Sequence, residues 1–297
     1  MAKTPASSPK ARAGDPPESE GAPKPSPRER VVDSDITPGE FATKPQGFGT
    51  GRKAPAVNPL GRVPSGLPGF DELCEGGFER NSTSLVMGDA GCGKTSLLAQ
   101  FIHAGATQYD EPGLFLSFEE PRESIFRHAK SFGWDLEKLE KDGLLAVINY
   151  KPHEVKKLAE EGGGLIWDTI TEIGARRCAI DSLSSYTVLF ESVYQAREAQ
   201  LTLFEMVHKW GCTTLFSGEA IRNTLARTVS GMEYLTDAVI LMHHPRQRNV
   251  RFRALEILKM RGTNHSQKIC PFEFIPGEGI RVYPGEDIFE EMAGQNF

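Results

Sequence analysis

The chain has 297 residues, of which 39% are hydrophobic and 25% charged, and its formal net charge is -6 at pH 7. This composition describes a globular protein of one or two domains. The acidic balance disfavours broad, sequence-independent binding to nucleic acid, which requires a basic surface. No apolar run approaches the roughly 18–20 residues that cross a bilayer, and the first residues lack the apolar core of a secretory signal, so no membrane association is expected.

The cysteines indicate a reducing compartment. They are scattered and odd in number, and no C-x-x-C spacing suggests a zinc site. Free thiols are typical of intracellular proteins, so the sequence predicts a cytoplasmic location. The five are Cys74, Cys92, Cys178, Cys212 and Cys270.

The first 60 residues differ in composition from the rest of the chain. Pro, Ser, Gly, Lys and Glu dominate there, and such a segment buries too little apolar surface to offset the entropy of ordering. The sequence therefore predicts a disordered tail over residues 1–60, with a tether or a partner-binding segment as the functional alternative. Residues 61–285 are then long enough for one α/β domain, and residues 286–297 form a short C-terminal tail.

A glycine-rich segment organises this domain. It fits G-x-x-x-x-G-K-[ST], follows an apolar run at 82–87 that predicts a buried strand, and precedes a predicted helix at 97–102. Its glycines let backbone N–H groups approach a phosphate chain. Lys94 is expected on the outer phosphates and the Thr95 hydroxyl on Mg²⁺. The predicted nucleotide-binding residues are Gly88, Asp89, Ala90, Gly91, Cys92, Gly93, Lys94, Thr95 and Ser96.

Strands and helices alternate along the chain up to about residue 220, and hairpins follow. This order predicts a mainly parallel central sheet flanked by helices and extended by C-terminal antiparallel β-hairpins. In the long helix predicted at 194–210, Leu201, Phe204 and Val207 are expected to share the buried face. The other predicted helices are a short one from residue 70 and those at 121–132, 136–139, 154–161 and 165–174. The other predicted strands are 112–118, 144–148, 176–181, 212–216, 238–242, 253–258, 272–275 and 280–283.

Acidic residues follow two of these strands. Because ligands of a parallel sheet collect at the carboxyl ends of its strands, we expect Glu119, Glu120 and Asp181 to lie near the glycine-rich loop. Asp181 suits the acid that holds Mg²⁺ or its water ligands, and a glutamate can activate a water molecule. Adjacent side chains on an extended strand diverge, so only one glutamate should face the phosphate directly. Capping of the next helix is the alternative role for the pair.

Five segments share a pattern with one protein family: 66–71, 114–120, 131–136, 180–183 and 258–263. Together they resemble the KaiC-like branch of the RecA-type P-loop ATPases, over about residues 60–284. The resemblance implies a RecA-like fold, ATP and Mg²⁺ as ligands, slow ATP hydrolysis and a homo-oligomeric ring, usually a hexamer. It also implies that Glu119 and Glu120 are catalytic, and that Lys259 and Arg261 reach the phosphates bound by a neighbouring subunit.

The chain also departs from the pattern of that family. The clock proteins that name it carry two such domains in tandem, whereas this sequence carries one. Where the autophosphorylating domain has an adjacent Ser-Thr pair, this chain has Glu233 and Tyr234, so autokinase activity is not expected. The family usually has one more residue before Pro121, which affects the aim of the two glutamates.

Other conspicuous residues receive structural interpretations. Adjacent residues on a strand point to opposite faces, so His243 and His244 are expected in structural or surface roles rather than as a metal pair. Cys92 is interpreted as a small, tolerated loop residue, with a redox switch as the alternative, since a helix N-terminus would lower its pKa. A solvated turn or a subunit interface is expected for the four arginines of the first hairpin, Arg246, Arg248, Arg251 and Arg253.

Three hypotheses for function follow. The leading one is an ATPase whose ring responds to nucleotide state and signals to an unknown protein partner. The second is a DNA-dependent recombination or repair ATPase of the wider RecA class, which the acidic composition disfavours, so DNA is not expected as a partner. The third is a nucleotide-binding assembly protein without hydrolysis.

Overall fold

The computed structural model describes residues 61–151, 154, 164–188, 190–219, 232–247 and 249–286. The chain divides into units of residues 1–52 and 53–297, and all described residues belong to the second. The predicted tail over 1–60 lies outside the described residues, as do most of the C-terminal tail and most of the helix predicted at 154–161.

Strands and helices alternate in the first part of the described chain, as predicted. The helices are α1 Lys94–Gln108, α2 Arg122–Ser131, α3 Leu136–Lys141, α4 Gly164–Ile173, α5 Leu183–Val188 and α6 Val193–Trp210. The strands are β1 Thr83–Gly88, β2 Gly113–Ser117, β3 Leu145–Asn149, β4 Arg177–Asp181, β5 Thr213–Glu219, β6 Ala238–His243, β7 Arg246–Gln247, β8 Val250–Arg251, β9 Ala254–Met260, β10 Cys270–Ile275 and β11 Gly279–Val282.

One large sheet organises these elements in the order β11-β10-β9-β6-β1-β5-β4-β2-β3. The six strands from β6 to β3 pair in parallel, whereas β9, β10 and β11 add antiparallel strands beyond β6. This confirms the predicted α/β fold with a mainly parallel sheet and C-terminal antiparallel hairpins. Because β1 and the other parallel strands run the same way, their carboxyl ends share one edge of the sheet.

The core lies in two layers, one on each face of the sheet. Successive side chains of β1 alternate between them: Val86 packs in the layer of α1, α2 and α3, whereas Leu85 and Met87 pack in the layer of α4, α5 and α6. Burial on both faces explains why the apolar residues of β1 are consecutive, Leu85-Val86-Met87, rather than alternating with polar ones, and why all six residues of the strand are buried.

The structure corrects two expectations about helices. Leu201 is 42% exposed, whereas Leu203, Phe204 and Val207 of α6 are buried, so the apolar stripe of this helix is set by 203, 204 and 207. Helix α5, which directly follows β4, was not predicted, because its sequence Leu-Ser-Ser-Tyr-Thr-Val is polar and rich in β-branched and hydroxyl residues.

A buried amide on α1 joins the two ends of the domain. Gln100 is 2% exposed, and its Nε2 donates to the carbonyl of Gly66 at 3.0 Å and to that of Ile280 at 3.0 Å. Its Oε1 accepts from the N–H of Ile280 at 2.6 Å. The helix that follows the glycine-rich loop is therefore fixed both to the first turn of the domain and to β11.

Candidate functional site

A cavity of about 390 Å³ lies at the edge of the sheet where the parallel strands end. The glycine-rich loop and the start of α1 form one side, and Glu119, Glu120, Asp181 and Glu219 contribute carboxylates. Helix α2 covers the cavity with Ile125, His128 and Ala129, and aromatic side chains close it with Phe132, Trp134 and Phe274. The structure therefore brings the loop and the three predicted acids together.

The backbone of the loop requires glycine at two positions. Gly91 has φ +77° and Gly93 has φ +107°, both in the left-handed region that side chains disfavour. A Cβ on Gly93 would also lie 2.5 Å from the ring of Phe274. Phe274 belongs to β10, so the second hairpin packs directly on the phosphate-binding loop.

The ammonium group of Lys94 lies under this loop. Its Nζ donates to the carbonyls of Gly88 at 2.9 Å and Asp89 at 3.0 Å. Cys92 is fully buried beside it, and burial raises the pKa of its thiol despite the opposing charge of Lys94. Backbone hydrogen bonding at Lys94, the first residue of α1, does lower this pKa, but burial outweighs it, and the buried thiol fits the interpretation of a small loop residue.

A pair of oxygen donors marks the magnesium position predicted from the sequence. The Thr95 hydroxyl donates to Oδ2 of Asp181 at 2.8 Å, and the Ser217 hydroxyl donates to the other carboxylate oxygen, Oδ1. Burial raises the pKa of Asp181, while the two hydroxyl groups oppose that shift. A hydroxyl and a carboxylate are hard oxygen ligands of the kind that Mg²⁺ takes alongside nucleotide phosphates, so Thr95 and Asp181 fit this ion.

The two adjacent glutamates point to different neighbours. Glu119 accepts hydrogen bonds from the hydroxyls of Ser182 and Ser185, which hold it next to Asp181. Glu120 instead turns to α2, where its Oε2 lies 3.3 Å from Nδ1 of His128. Their divergence agrees with the expectation that only one faces the phosphate. Glu119 is held on the α5 side, away from the start of α2, which argues against a capping role for it.

Aromatic rings form the end of the cavity that sequence reasoning missed. The ring of Phe132 lies 4.9 Å from Trp134 and 5.7 Å from Phe274, with interplanar angles of 30° in both pairs. The guanidinium of Arg253 lies over Phe274 at 4.9 Å. The sequence shows an arginine-rich hairpin and scattered aromatic residues, and only the folded sheet shows that Arg253 and Phe274 meet. Arg248 lies outside the described residues.

Lys259 and Arg261 lie at the opposite edge of the sheet. Lys259 Nζ donates to the carbonyls of Glu233 at 2.9 Å and Thr236 at 2.5 Å. Arg261 donates to the carbonyl of Tyr234 at 3.1 Å. Their neighbour Asp237 accepts a hydrogen bond from the N–H of Thr83 at the start of β1. The glycine-rich loop follows the other end of β1, which at the usual rise per residue of a strand is about 16 Å away. The structure therefore does not bring these cations to the cavity of their own chain.

The two adjacent histidines have different surroundings. His243 Nε2 lies 3.0 Å from Glu256 of β9, whereas burial lowers the pKa of His244. The described part of the chain contains no cluster of three or more His, Cys, Asp or Glu residues suited to a metal ion. No helix within the described ranges is long and apolar enough to cross a bilayer.

Comparison with known proteins agrees with this geometry. The family model described as the KaiC ATPase matches residues 63–287. The chain belongs to the KaiC family of ATPases. A protein of the UPF0273 group from Methanopyrus kandleri is 34% identical over 247 residues, which cover 79% of this chain and 96% of that protein. Nucleotide binding is therefore a property of the family to which the site belongs.

The circadian clock proteins of this family are longer. The clock oscillator protein KaiC of Prochlorococcus marinus is 34% identical over 229 residues, 75% of this chain but 46% of the clock protein. The chain thus spans about half the length of these relatives. A solved KaiC-like protein from Pyrococcus horikoshii is 38% identical with a TM-score of 0.68, and the match covers 76% of this chain and 100% of that one. The single KaiC-like domain predicted from the sequence is confirmed.

Proposed function

We propose that this KaiC-family protein binds MgATP, hydrolyses it slowly within a homo-oligomeric ring in the cytoplasm, and serves as a nucleotide-dependent regulatory module for a protein partner. The observation that carries the proposal is the meeting of the glycine-rich loop, the Thr95–Asp181 pair and Glu119 at one cavity. Autokinase activity is not included, because Glu233 and Tyr234 replace a Ser-Thr pair.

The cavity supplies a separate group for each part of the nucleotide. Loop N–H groups and Lys94 bind the phosphates, and Thr95 and Asp181 hold Mg²⁺, which when bound neutralises charge on the phosphate oxygens. The base stacks on the aromatic end formed by Phe132 and Phe274, a contact that any base ring supports.

Glu119 is the residue we assign to water activation. Two serine hydroxyls fix its carboxylate beside Asp181, and a carboxylate so held can orient a water and accept its proton. Slow turnover is proposed from the membership of the chain in the KaiC family of ATPases.

Lys259 and Arg261 are the residues that link hydrolysis to the homo-oligomeric ring. Hydrolysis builds negative charge on the phosphoryl oxygens, which a cation supplied by a neighbouring subunit stabilises. Within one chain these cations lie near the start of β1, and the loop lies at its other end, about 16 Å away along the strand. Any catalytic role of these cations must therefore be in trans. A subunit alone then lacks part of its site, and turnover depends on assembly.

A mixing experiment tests this arrangement. Lys94→Ala removes the phosphate-binding ammonium but leaves the cations, whereas Arg261→Ala binds nucleotide and lacks a cation. Each variant alone should bind or turn over ATP poorly, and the mixture should regain part of the wild-type phosphate release once subunits exchange. Tagged subunits and pull-down establish co-assembly.

Several outcomes would contradict parts of the proposal. A co-assembled mixture that stays inactive, or a dilute monomer as fast as the ring, excludes action in trans. Unchanged nucleotide affinity in Lys94→Ala excludes the site itself. Turnover measured with and without Mg²⁺ separates this proposal from a non-hydrolysing assembly protein, and stimulation by DNA would instead favour a recombination ATPase.

A further inference from the structure

Large hydrophobic side chains are exposed at two edges of the domain. Eight such side chains are exposed in the described part of the chain, and five of them lie toward the two ends of the parallel strands, three near the nucleotide cavity and two beside Arg261. The other three, Leu165, Trp167 and Leu201, lie on α4 and α6. Single exposed apolar residues are normal, whereas grouped ones mark a surface for a partner.

The first group, which we call the cavity-edge patch, consists of Val188, Val193 and Tyr194. Val188 ends α5, and the other two residues begin α6 after its N-cap, Ser192. Their side chains are between 71% and 89% exposed. Helix α5 starts two residues after Asp181 of the cavity, so the patch lies toward the edge of the sheet where the parallel strands end.

The helix that carries the cavity-edge patch also positions acidic groups of the cavity. Ser185 of α5 donates a hydrogen bond to the carboxylate of Glu119. The hydroxyl of Ser184 accepts a hydrogen bond from the N–H of Glu219 at 2.9 Å. A contact on this patch is therefore a contact on the element that holds Glu119.

The second group, the cation-edge patch, consists of Tyr234 and Leu258. The carbonyl of Tyr234 accepts from Arg261 at 3.1 Å, and the side chain of Tyr234 is 76% exposed. Leu258 is passed over in the pairing of β9 with β6, which places it in a β-bulge directly before Lys259. A bulge redirects side chains, and Leu258 is 40% exposed. The two apolar side chains thus flank the two cations.

The charges at the two edges are opposite. Four carboxylates line the cavity, with Lys94 as the lysine among its described lining residues, whereas Lys259 and Arg261 lie at the other edge. Arg261 is 3.4 Å from Asp237, yet its side chain remains 55% exposed. Because the two edges are different surfaces, they can meet only head to tail, with one copy presenting its cations to the cavity of the next. Complementary charge favours that orientation.

We propose that the cavity-edge patch of one copy of this chain receives the cation-edge patch of the next copy, and that this apolar contact holds successive subunits together. The inference rests on the proposed function, which requires Arg261 to reach a neighbouring cavity. Burial of the two patches supplies the attraction, and the charges set the orientation. Because the cavity-edge patch includes the end of α5, the contact also fixes the helix that holds Glu119. Assembly then acts on the site through α5 as well as through the cations.

Two double variants of the full-length protein test this pairing. Val193→Ser with Tyr194→Ser alters the cavity-edge patch, and Tyr234→Ser with Leu258→Ser alters the cation-edge patch. Leu201→Ser is the matched control, because Leu201 is an exposed apolar residue elsewhere on α6. The dissociation constant for self-assembly is measured by analytical ultracentrifugation with MgADP, and circular dichroism establishes that each variant is folded. Each double variant should raise this constant by about a hundredfold, about tenfold for each side chain removed, and Leu201→Ser should leave it unchanged.

Mixing the two double variants is the sharper test. Each variant alone carries an altered patch at every contact, because a head-to-tail interface uses both surfaces. In the mixture, the intact cavity-edge patch of one variant meets the intact cation-edge patch of the other. The mixture should therefore form dimers with the dissociation constant of a wild-type contact, but no rings, at concentrations where each variant alone is monomeric.

Three results overturn this inference alone: a double variant that assembles like wild type, a mixture that stays monomeric, or an equal loss of assembly in Leu201→Ser. A different partner for the cavity-edge patch would give the first of these. Complementation between Lys94→Ala and Arg261→Ala subunits would then leave the proposed ring intact. Wild type that stays monomeric with MgADP at every concentration overturns the proposed ring and this inference together.

Discussion

The buried ion pair between Arg177 and Glu111 gives the sharpest test of how this fold supports its site. Arg177 begins β4, the strand that ends at Asp181, and its side chain is fully buried. Its Nε donates to Glu111 at 2.8 Å and its Nη1 to the carbonyl of Phe101 at 2.9 Å. The guanidinium also lies 4.6 Å from the centre of the Phe101 ring. It therefore joins the end of β4 opposite the cavity to α1.

Removing the negative partner leaves a charge in the interior. Burial already lowers the pKa of Arg177, while Glu111 opposes that shift. Loss of one member of a buried pair costs about 3–5 kcal/mol. We expect Glu111→Gln to lower the free energy of unfolding by about 3 kcal/mol, the lower end of this range, because the amide oxygen still accepts a hydrogen bond from Nε of Arg177. In a domain of this size that lowers Tm by roughly 6–12 °C.

Urea denaturation followed by circular dichroism measures this loss. Arg80→Gln is the matched control, since Arg80 also contacts Glu111, at 3.0 Å, but its side chain is 45% exposed. That surface contact should contribute no more than about 1 kcal/mol. The double variant Glu111→Leu with Arg177→Met should recover most of the loss, because it removes both charges. If Glu111→Gln destabilises no more than Arg80→Gln, the buried charge is not the source of the stability.

Three further predictions concern the site and the tail. Glu119→Gln should lower ATP turnover by about a hundredfold or more while nucleotide still binds, and Glu120→Gln should lower turnover less. If phosphate release is slower in Glu120→Gln than in Glu119→Gln, the roles of the two glutamates are exchanged. Folding raises the pKa of Asp181, and a carboxylate with a raised pKa destabilises the folded state at pH values above that pKa. Asp181→Asn should therefore raise the Tm of the nucleotide-free protein at pH 7, and it should abolish the extra stabilisation that Mg²⁺ gives together with ADP. A Mg²⁺ effect that is retained in thermal scans would refute the role of Asp181. Deletion of residues 1–58 should leave Tm and ATP turnover nearly unchanged, and a large fall in Tm would refute the predicted disordered tail.

The parts of the fold that the sequence predicted are those with strong local signals. The glycine-rich loop with its flanking strand and helix follows from residue types that its backbone requires, as the positive φ of Gly93 shows. Hairpins at the end of the chain follow from alternating residues around turn residues, and Pro276 and Gly277 mark the last of them. Asp181 was predicted to meet the loop because parallel strands end at one edge.

The remainder depended on contacts between residues far apart in sequence. No local pattern links Phe274 with Gly93 or Arg253, because they meet only through the pairing of β9 and β10. The polar sequence of α5 gave no helical periodicity, so the serine hydroxyls that hold Glu119 were missed. The spacing of apolar residues alone places Leu201 on the buried face of α6, whereas tertiary packing selects the stripe of Leu203, Phe204 and Val207.

The hydrogen bonds of Gln100 have a consequence for synthesis of the chain on the ribosome. Its partner Ile280 follows 180 residues later. At 5–20 residues per second the buried amide waits roughly 10–40 s for that strand to be made. During that interval α1 lacks its contact with β11, and Gly93 lacks the ring of Phe274. The nucleotide pocket is therefore among the last parts of the domain to be completed, although the loop that defines it is translated early.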